Sequence, residues 1–151
     1  MITTMMLEGY TPEQAYGWTA NAQQESYKDL RTEVLGDKGK ALGIFQWQKT
    51  RQQAMKDYAK QQGKPWNDLE TQVRFSLIER YEGKAHRLLQ QAKTVEQAVD
   101  AGLAYTRPSA PMRERRLQLA YDLQAWYSQQ PQQKRLEKHA LKGLARLNGM
   151  E

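Results

Sequence analysis

Three short stretches of this chain hold residue types that could cleave a glycosidic bond. Gln24-Glu25-Ser26 supplies a carboxylate, and Gly36-Asp37-Lys38-Gly39-Lys40-Ala41-Leu42 follows with a second one among glycines. Gly43-Ile44-Phe45-Gln46-Trp47 then adds a flexible backbone position, an amide and an aromatic ring. Glycoside hydrolysis needs one carboxylic acid that still holds its proton near neutral pH, to protonate the leaving oxygen. It commonly needs a second carboxylate roughly 5 to 9.5 Å away, to act as base or nucleophile. Glu25 suits the first role. It shares a helix face with Ala15, Trp18 and Ala22, and it lies near the negative end of the helix dipole. Both surroundings disfavour the anion.

Asp37 is the candidate second carboxylate, with Glu33 and Asp29 as lesser candidates in the same segment. Gly-Asp-Lys-Gly is also ordinary turn chemistry, because Asp favours turns. Gly43 would let the backbone approach a sugar ring closely. Gln46 can both donate to and accept from hydroxyls and acetamides, and Trp47 offers an apolar face. Ser26 and Tyr105 are further candidates for substrate binding. The plainer reading makes two of Ile44, Phe45 and Trp47 core, and makes Tyr105 a core residue with its hydroxyl tied to backbone.

The elements that must position these residues are largely helical. Met1 to Glu8 is short and apolar, with Gly9 at a helix C-terminal position. Thr11-Pro12-Glu13-Gln14 predicts a helix start, with Thr11 as N-cap and Gln14 closing a capping box. From Asp29 to Gln48 the helical period is lost, and the glycines indicate a hairpin or glycine-rich loop. Helical spacing resumes with Ala54, Met55, Tyr58 and Ala59, and Gly63-Lys64-Pro65 breaks it. Asn67 with Glu70 predicts another capping box, before a helix with Val73, Leu77, Ile78 and Tyr81 on one face. Gly83 interrupts, and Ala85, Leu88, Leu89 and Ala92 continue the pattern. Thr94 with Gln97 caps a helix running towards Tyr105. Thr106-Arg107-Pro108-Ser109-Ala110-Pro111 reads as a rigid extended connector. Leu117, Ala120, Tyr121 and Trp126 predict a last core helix that Pro131 ends. The expected fold is mainly α, a helical domain with a small β-hairpin beside the helix that carries Glu25.

Composition bounds the rest. At 151 residues the chain suits one domain able to bury its own core. It has no cysteine, so disulfides and thiolate chemistry are excluded. His86 and His139 are far apart in sequence, and neither a metal nor a cofactor is expected. No apolar run reaches the ~20 residues of a membrane span. The N-terminus lacks the basic region and cleavage site of a secretory signal, so any role outside the cytoplasm would need another carrier. Lys and Arg number 23 against 17 Asp and Glu, a net charge of +6. That balance serves solubility, or attraction to nucleic acid, an anionic membrane face or a bacterial wall.

In order and spacing, these motifs resemble the phage tail lysozyme family over about Thr4 to Tyr127. The runs that carry the resemblance are Gly9 to Ala15, Asn21 to Ser26, Gly36 to Trp47 with Arg51, Trp66 to Gln72, and Tyr105-Thr106-Arg107-Pro108. The resemblance implies a lysozyme-like fold, a place in a virion and hydrolysis of β-1,4 bonds between the aminosugars of peptidoglycan. It puts the catalytic glutamate on Glu25 and the Gly-x-x-Gln-Trp segment on Gly43, Gln46 and Trp47. The chain departs from the family after Ser26, reading Tyr27-Lys28-Asp29-Leu30 in place of a Gly and an Asn-Pro pair, and it has Thr106 where a Glu is common. The similar lytic transglycosylases work with a single glutamate and close a 1,6-anhydro ring. The expectation is therefore a muramidase, with a transglycosylase as the alternative. A non-catalytic basic virion protein binding DNA or a partner is the other class; nucleic acid is not the expected partner.

After Pro131 the composition shifts. Lys134, Arg135, Lys138, Lys142 and Arg146 accompany Leu136, Ala140, Leu144 and Leu147 at helical spacing. Residues 1–130 are expected to be the catalytic domain, and 131–151 a basic amphipathic tail or linker that docks to a virion protein or an anionic surface. A chain ending at Gln130 should keep its turnover on soluble wall fragments. Its binding to whole sacculi should weaken, with the difference vanishing at high salt. Unfolding of the shortened chain would instead assign Leu136, Leu144 and Leu147 to the core.

Overall fold

The computed structural model describes residues 1–79, 83–131, 138–139 and 141–143. Tyr81, and Lys134, Arg135, Leu136, Ala140, Leu144, Arg146 and Leu147 of the tail, lie outside the described residues. The protein is mainly helical, with one small antiparallel sheet, as in a lysozyme-like fold. Helix α1 (Ile2–Leu7) precedes α2 (Pro12–Ser26). Strands β1 (Leu35–Gly36), β2 (Ala41–Leu42) and β3 (Trp47–Gln48) follow, and then α3 (Lys49–Gln61), α4 (Leu69–Ile78), α5 (Gly83–Gln91), α6 (Val95–Thr106) and α7 (Arg113–Tyr127).

Helix α2 is the axis of the molecule. It starts where the sequence places it: Thr11 accepts from the Gln14 amide, and the Gln14 side chain accepts from the Thr11 amide at 2.9 Å. Gln14 also donates to the carbonyls of Gln90 and Ala92, which ties the helix start to the end of α5. Every residue from Gln14 to Ala22 is buried, because α6 and α7 cover α2 from two sides. The crossing with α6 is close. A Cβ on Gly17 would stand 2.6 Å from the backbone nitrogen of Val99. Asn21 crosses the same seam, donating to the carbonyls of Gly17 at 2.8 Å and Val99 at 3.1 Å.

The sheet is a pair of tight hairpins. Leu35 pairs with Leu42 and Gly36 with Ala41, while Ala41 pairs with Gln48 and Leu42 with Trp47. The second turn, Gly43 to Gln46, points its apolar residues into the protein. Ile44, Phe45 and Trp47 are all buried, so all three are core where two were expected. Phe45 packs its ring on Trp18 and edge-on to Tyr105, with centroids 5.5 and 5.0 Å apart. Gly43 holds φ +88°, and a side chain there would also meet Gln72 Oε1 and the Trp47 ring. Two conditions, a left-handed backbone and no free space, therefore demand glycine at this turn.

Several expected details differ. The cap of α4 is Asp68, which accepts from the amide of Thr71 at 3.0 Å. Asn67 instead reaches across to Glu33. Ile78 is exposed at the last turn of α4. Helix α7 turns Arg116, Leu119 and Ala120 inward, while Tyr121 and Trp126 face solvent. An apolar count misreads this helix because its inner face is anchored by an arginine. It ends at Tyr127, ahead of Pro131. The connector after α6 is not fully extended either: Arg107 and Met112 adopt left-handed conformations. At Arg107 this lets its amide cap the helix on the Leu103 carbonyl at 2.8 Å.

Gly17→Ala should lower stability by about 2 kcal/mol, since overpacking a closed interface costs about 1–3 kcal/mol and a buried backbone cannot retreat. Urea unfolding would measure it. An unchanged or raised midpoint would show that α6 moves away freely.

Candidate active site

Glu25 sits one residue before the end of α2, where the helix emerges from beneath α6 and α7. Its side chain is 20% exposed. Arg116 of α7 donates from Nη2 to Glu25 Oε1 at 3.0 Å, and its own side chain is only 2% exposed. The sequence placed apolar neighbours and the helix dipole around Glu25. A buried guanidinium is the neighbour it missed, because Arg116 lies 91 positions away in a run of arginines (Arg113, Arg115, Arg116) that reads as solvated surface. The flank of the site is built from the same region. Arg115 donates to Gln24 Oε1 at 2.8 Å, and Gln24 in turn donates to the Met112 sulfur at 3.6 Å.

Ser26, next to Glu25, is buried and donates to the Ala22 carbonyl at 2.8 Å. Its own carbonyl accepts from the Arg31 amide at 3.0 Å. The hydroxyl is thus spent inside the helix, where it closes the last turn and starts the loop that leads to the hairpin.

Asp37 lies at the tip of the first hairpin. It is exposed, with φ +48°, and its carboxylate makes no hydrogen bond or ion pair among the described residues. The other two acids of the segment are engaged. Asp29 pairs with Arg31 at 3.1 Å, and Glu33 accepts from Asn67 at 2.9 Å.

Gln46 stands partly exposed in the second turn, with φ +52°. Its amide donates to the carbonyls of Gly43 at 2.9 Å and Val34 at 3.0 Å, which staples the turn to the first hairpin. Gln72 does the same from below. It accepts from the Ile44 amide and donates to the carbonyls of Thr32 and Trp66. Gln72 carries no chemical signal in the sequence beyond its place in the Trp66 to Gln72 run.

Trp47 and Tyr105 have no exposed surface. Trp47 Nε1 donates to the Tyr105 hydroxyl at 2.8 Å, and that hydroxyl donates to Glu79 Oε2 at 2.5 Å. Glu79 is buried and is gripped by Arg51, Nε to Oε1 at 2.6 Å and Nη2 to Oε2 at 3.1 Å. The Tyr105 hydroxyl is therefore bound to a carboxylate rather than to backbone. These residues form a buried strut that joins the sheet to the helical body.

A model of the phage tail lysozyme family matches residues 1–129. The chain belongs to that family. No curated protein and no solved structure matches it. Membership makes it a phage peptidoglycan hydrolase of lysozyme type, associated with the virion and acting on the cell wall. Among the described residues of this phage tail lysozyme, no helix is long and apolar enough to cross a membrane, and no group of His, Cys, Asp and Glu could hold a metal ion.

The strut has a pH signature. Burial first, and the Glu79 negative charge second, push the Tyr105 phenol well above its ordinary value of 10. The unfolded chain loses this proton from about pH 10 upward, whereas the folded protein keeps it. The stabilising contribution of Tyr105 is therefore complete below about pH 10 and drains away as pH rises towards the folded value. Tyr105→Phe should cost about 1–3 kcal/mol at pH 8, because Glu79 and Trp47 lose a buried partner. The gap to the parent should narrow at pH 11 in urea unfolding. A gap that widened with pH would contradict the assignment.

Proposed function

We propose that this chain is a muramidase that cleaves the β-1,4 bond between N-acetylmuramic acid and N-acetylglucosamine, with Glu25 as general acid. The observation that carries the reading is the placement of Glu25: a partly exposed side chain at the end of the central buried helix, with one carboxyl oxygen oriented by a hydrogen bond from Arg116. That combination lets one carboxyl oxygen meet a glycosidic oxygen while the backbone beneath it stays fixed, which is what proton transfer in the transition state requires.

Asp37 is the proposed second carboxylate. Its support is that it alone of the three acids in the segment has a carboxylate without a hydrogen-bond or ionic partner among the described residues. A glycan lying against the sheet would run past Gln46, whose partly exposed side chain is the proposed contact for sugar hydroxyls or acetamides. Gly43 allows the turn that presents Gln46. Ser26, Trp47 and Tyr105 serve from behind the surface, the first by closing the catalytic helix and the other two by bracing the sheet.

The wider setting is proposed on the same basis. A wall-degrading virion enzyme would open a path for genome delivery and act in the periplasm beside other tail or ejection proteins. Residues 131–151 are the proposed docking segment. The family match ends at residue 129, which supports a boundary there.

Glu25→Gln keeps size and shape but cannot donate an acidic proton. It should reduce peptidoglycan cleavage by at least ~100-fold, within the range of general acid catalysis, with an unchanged unfolding midpoint. Mass analysis of the digest then assigns the reaction. Reducing ends with a severe loss in Asp37→Asn support the muramidase. Anhydro ends with a mild Asp37→Asn effect identify a lytic transglycosylase. Full activity in folded Glu25→Gln would end the glycosidase reading.

A further inference from the structure

Arg116 is held too tightly to be a passive counter-ion. Its Nε donates to the Pro111 carbonyl at 2.7 Å, and its Nη1 donates to Asn21 Oδ1 at 3.0 Å. Asn21 is itself fixed, because both N–H bonds of its amide are used by the carbonyls of Gly17 and Val99. Its oxygen must therefore face Arg116. The guanidinium plane is thereby set by α2, by the proline corner and by α7 before Glu25 is considered. Nη2 then meets Oε1 of Glu25 at 3.0 Å. The other oxygen, Oε2, makes no hydrogen bond among the described residues.

We propose that Arg116 is a positioning residue that decides which oxygen of Glu25 carries the reacting proton. A guanidinium only donates and is always charged. The oxygen facing it must accept, so a protonated Glu25 carries its proton on Oε2. Oε2 is the oxygen left for the substrate. When the glycosidic C–O bond breaks, the bonding electron pair goes to the leaving oxygen, that oxygen takes the proton from Oε2, and a water oxygen bonds to the sugar carbon and gives up its proton to the second carboxylate. The carboxylate that remains keeps its bond to Nη2, now a charge-assisted one and stronger. An interaction that strengthens along the reaction acts on kcat rather than on KM. The proline corner has a function in this scheme, since Pro111 supplies one of the three carbonyl or amide oxygens that aim the guanidinium, the other two being the backbone and side-chain oxygens of Asn21. The inference rests on Glu25 being the acid.

The test compares the parent, Arg116→Lys and Arg116→Ala on soluble uncrosslinked glycan strands, with unfolding midpoints to establish that each variant is folded. Lysine keeps the charge and loses the planar fork. Misplacing a reacting group by about 1 Å can cost on the order of 100-fold, so Arg116→Lys should lose roughly 10- to 100-fold in kcat, with KM changed by no more than about 2-fold. Millimolar guanidinium should recover part of the kcat of Arg116→Ala, whereas equal sodium or ammonium chloride should not. Added to Glu25→Gln, Arg116→Lys should have no further effect on residual cleavage. A folded Arg116→Lys with parental kcat, a loss confined to KM, or an undiminished loss in the Glu25→Gln background would each overturn the proposal. An inactive parent would overturn the muramidase reading instead. In that event the 13C carboxyl resonance of Glu25, assigned by its loss in Glu25→Gln, still reports the pair. It should move in Arg116→Lys, and a resonance that does not move overturns the positioning role independently of turnover.

Discussion

The buried carboxylate of Glu79 is the constraint from which the arrangement of this protein follows. A carboxylate removed from water is strongly disfavoured unless its oxygens are paired. Glu79 meets that demand with Arg51 from α3 and Tyr105 from α6, and Tyr105 passes the connection on to Trp47 of β3. Four separate parts of the chain are thereby forced into one relative position. The Arg51 guanidinium also lies over the Tyr105 ring, 5.0 Å from its centroid. The aromatic residues around this group, Trp18, Phe45 and His86, pack on Tyr105 at centroid distances of 4.8, 5.0 and 5.8 Å. They exclude water, and the low dielectric that results makes the polar contacts stronger and an unpaired partner more costly.

The cluster matters for chemistry because it joins the sheet to the helical body. The three strands have two residues each and could not hold a fixed position through their own hydrogen bonds. They are located by side chains instead: Trp47 from the Glu79 group, Phe45 wedged against Trp18, and the side-chain amides of Gln46 and Gln72 bonded to backbone beside the strand ends. Glu25 is fixed by a second, separate polar group at the far end of α2, that of Asn21 and Arg116. Both groups touch the stretch of α2 buried from Gln14 to Ala22, one through Trp18 and the other through Asn21. The proposed acid and the proposed sugar-binding turn are thus held by different anchors on one stiff element.

Much of the local structure is written in short range. The Thr11-Pro12-Glu13-Gln14 start of α2, the Thr94 cap of α6, the loss of helical period after Asp29 and the break at Gly63-Lys64-Pro65 are decided by residues within a few positions of one another. The sequence could therefore be read for them. The same holds for the position of Glu25 at the end of its helix and for the turn around Asp37. The structure departs from the local pattern where neighbours are equivalent, as with Asn67 against Asp68 for a cap, or where an inward face carries a charge, as with Arg116 in α7.

By itself the sequence determined the helical class, the hairpin segment, the family resemblance and the glutamate most suited to acid chemistry. All of these depend on residue types at close spacing. The tertiary structure alone decided that Trp47 and Tyr105 stand behind the surface, that Glu79 ties the sheet to the body and that Arg116 faces Glu25. Those facts join residues 26 to 91 positions apart. A buried charge finds its partner through the packing of whole helices, and helical periodicity says which side a residue takes but not which residue waits opposite.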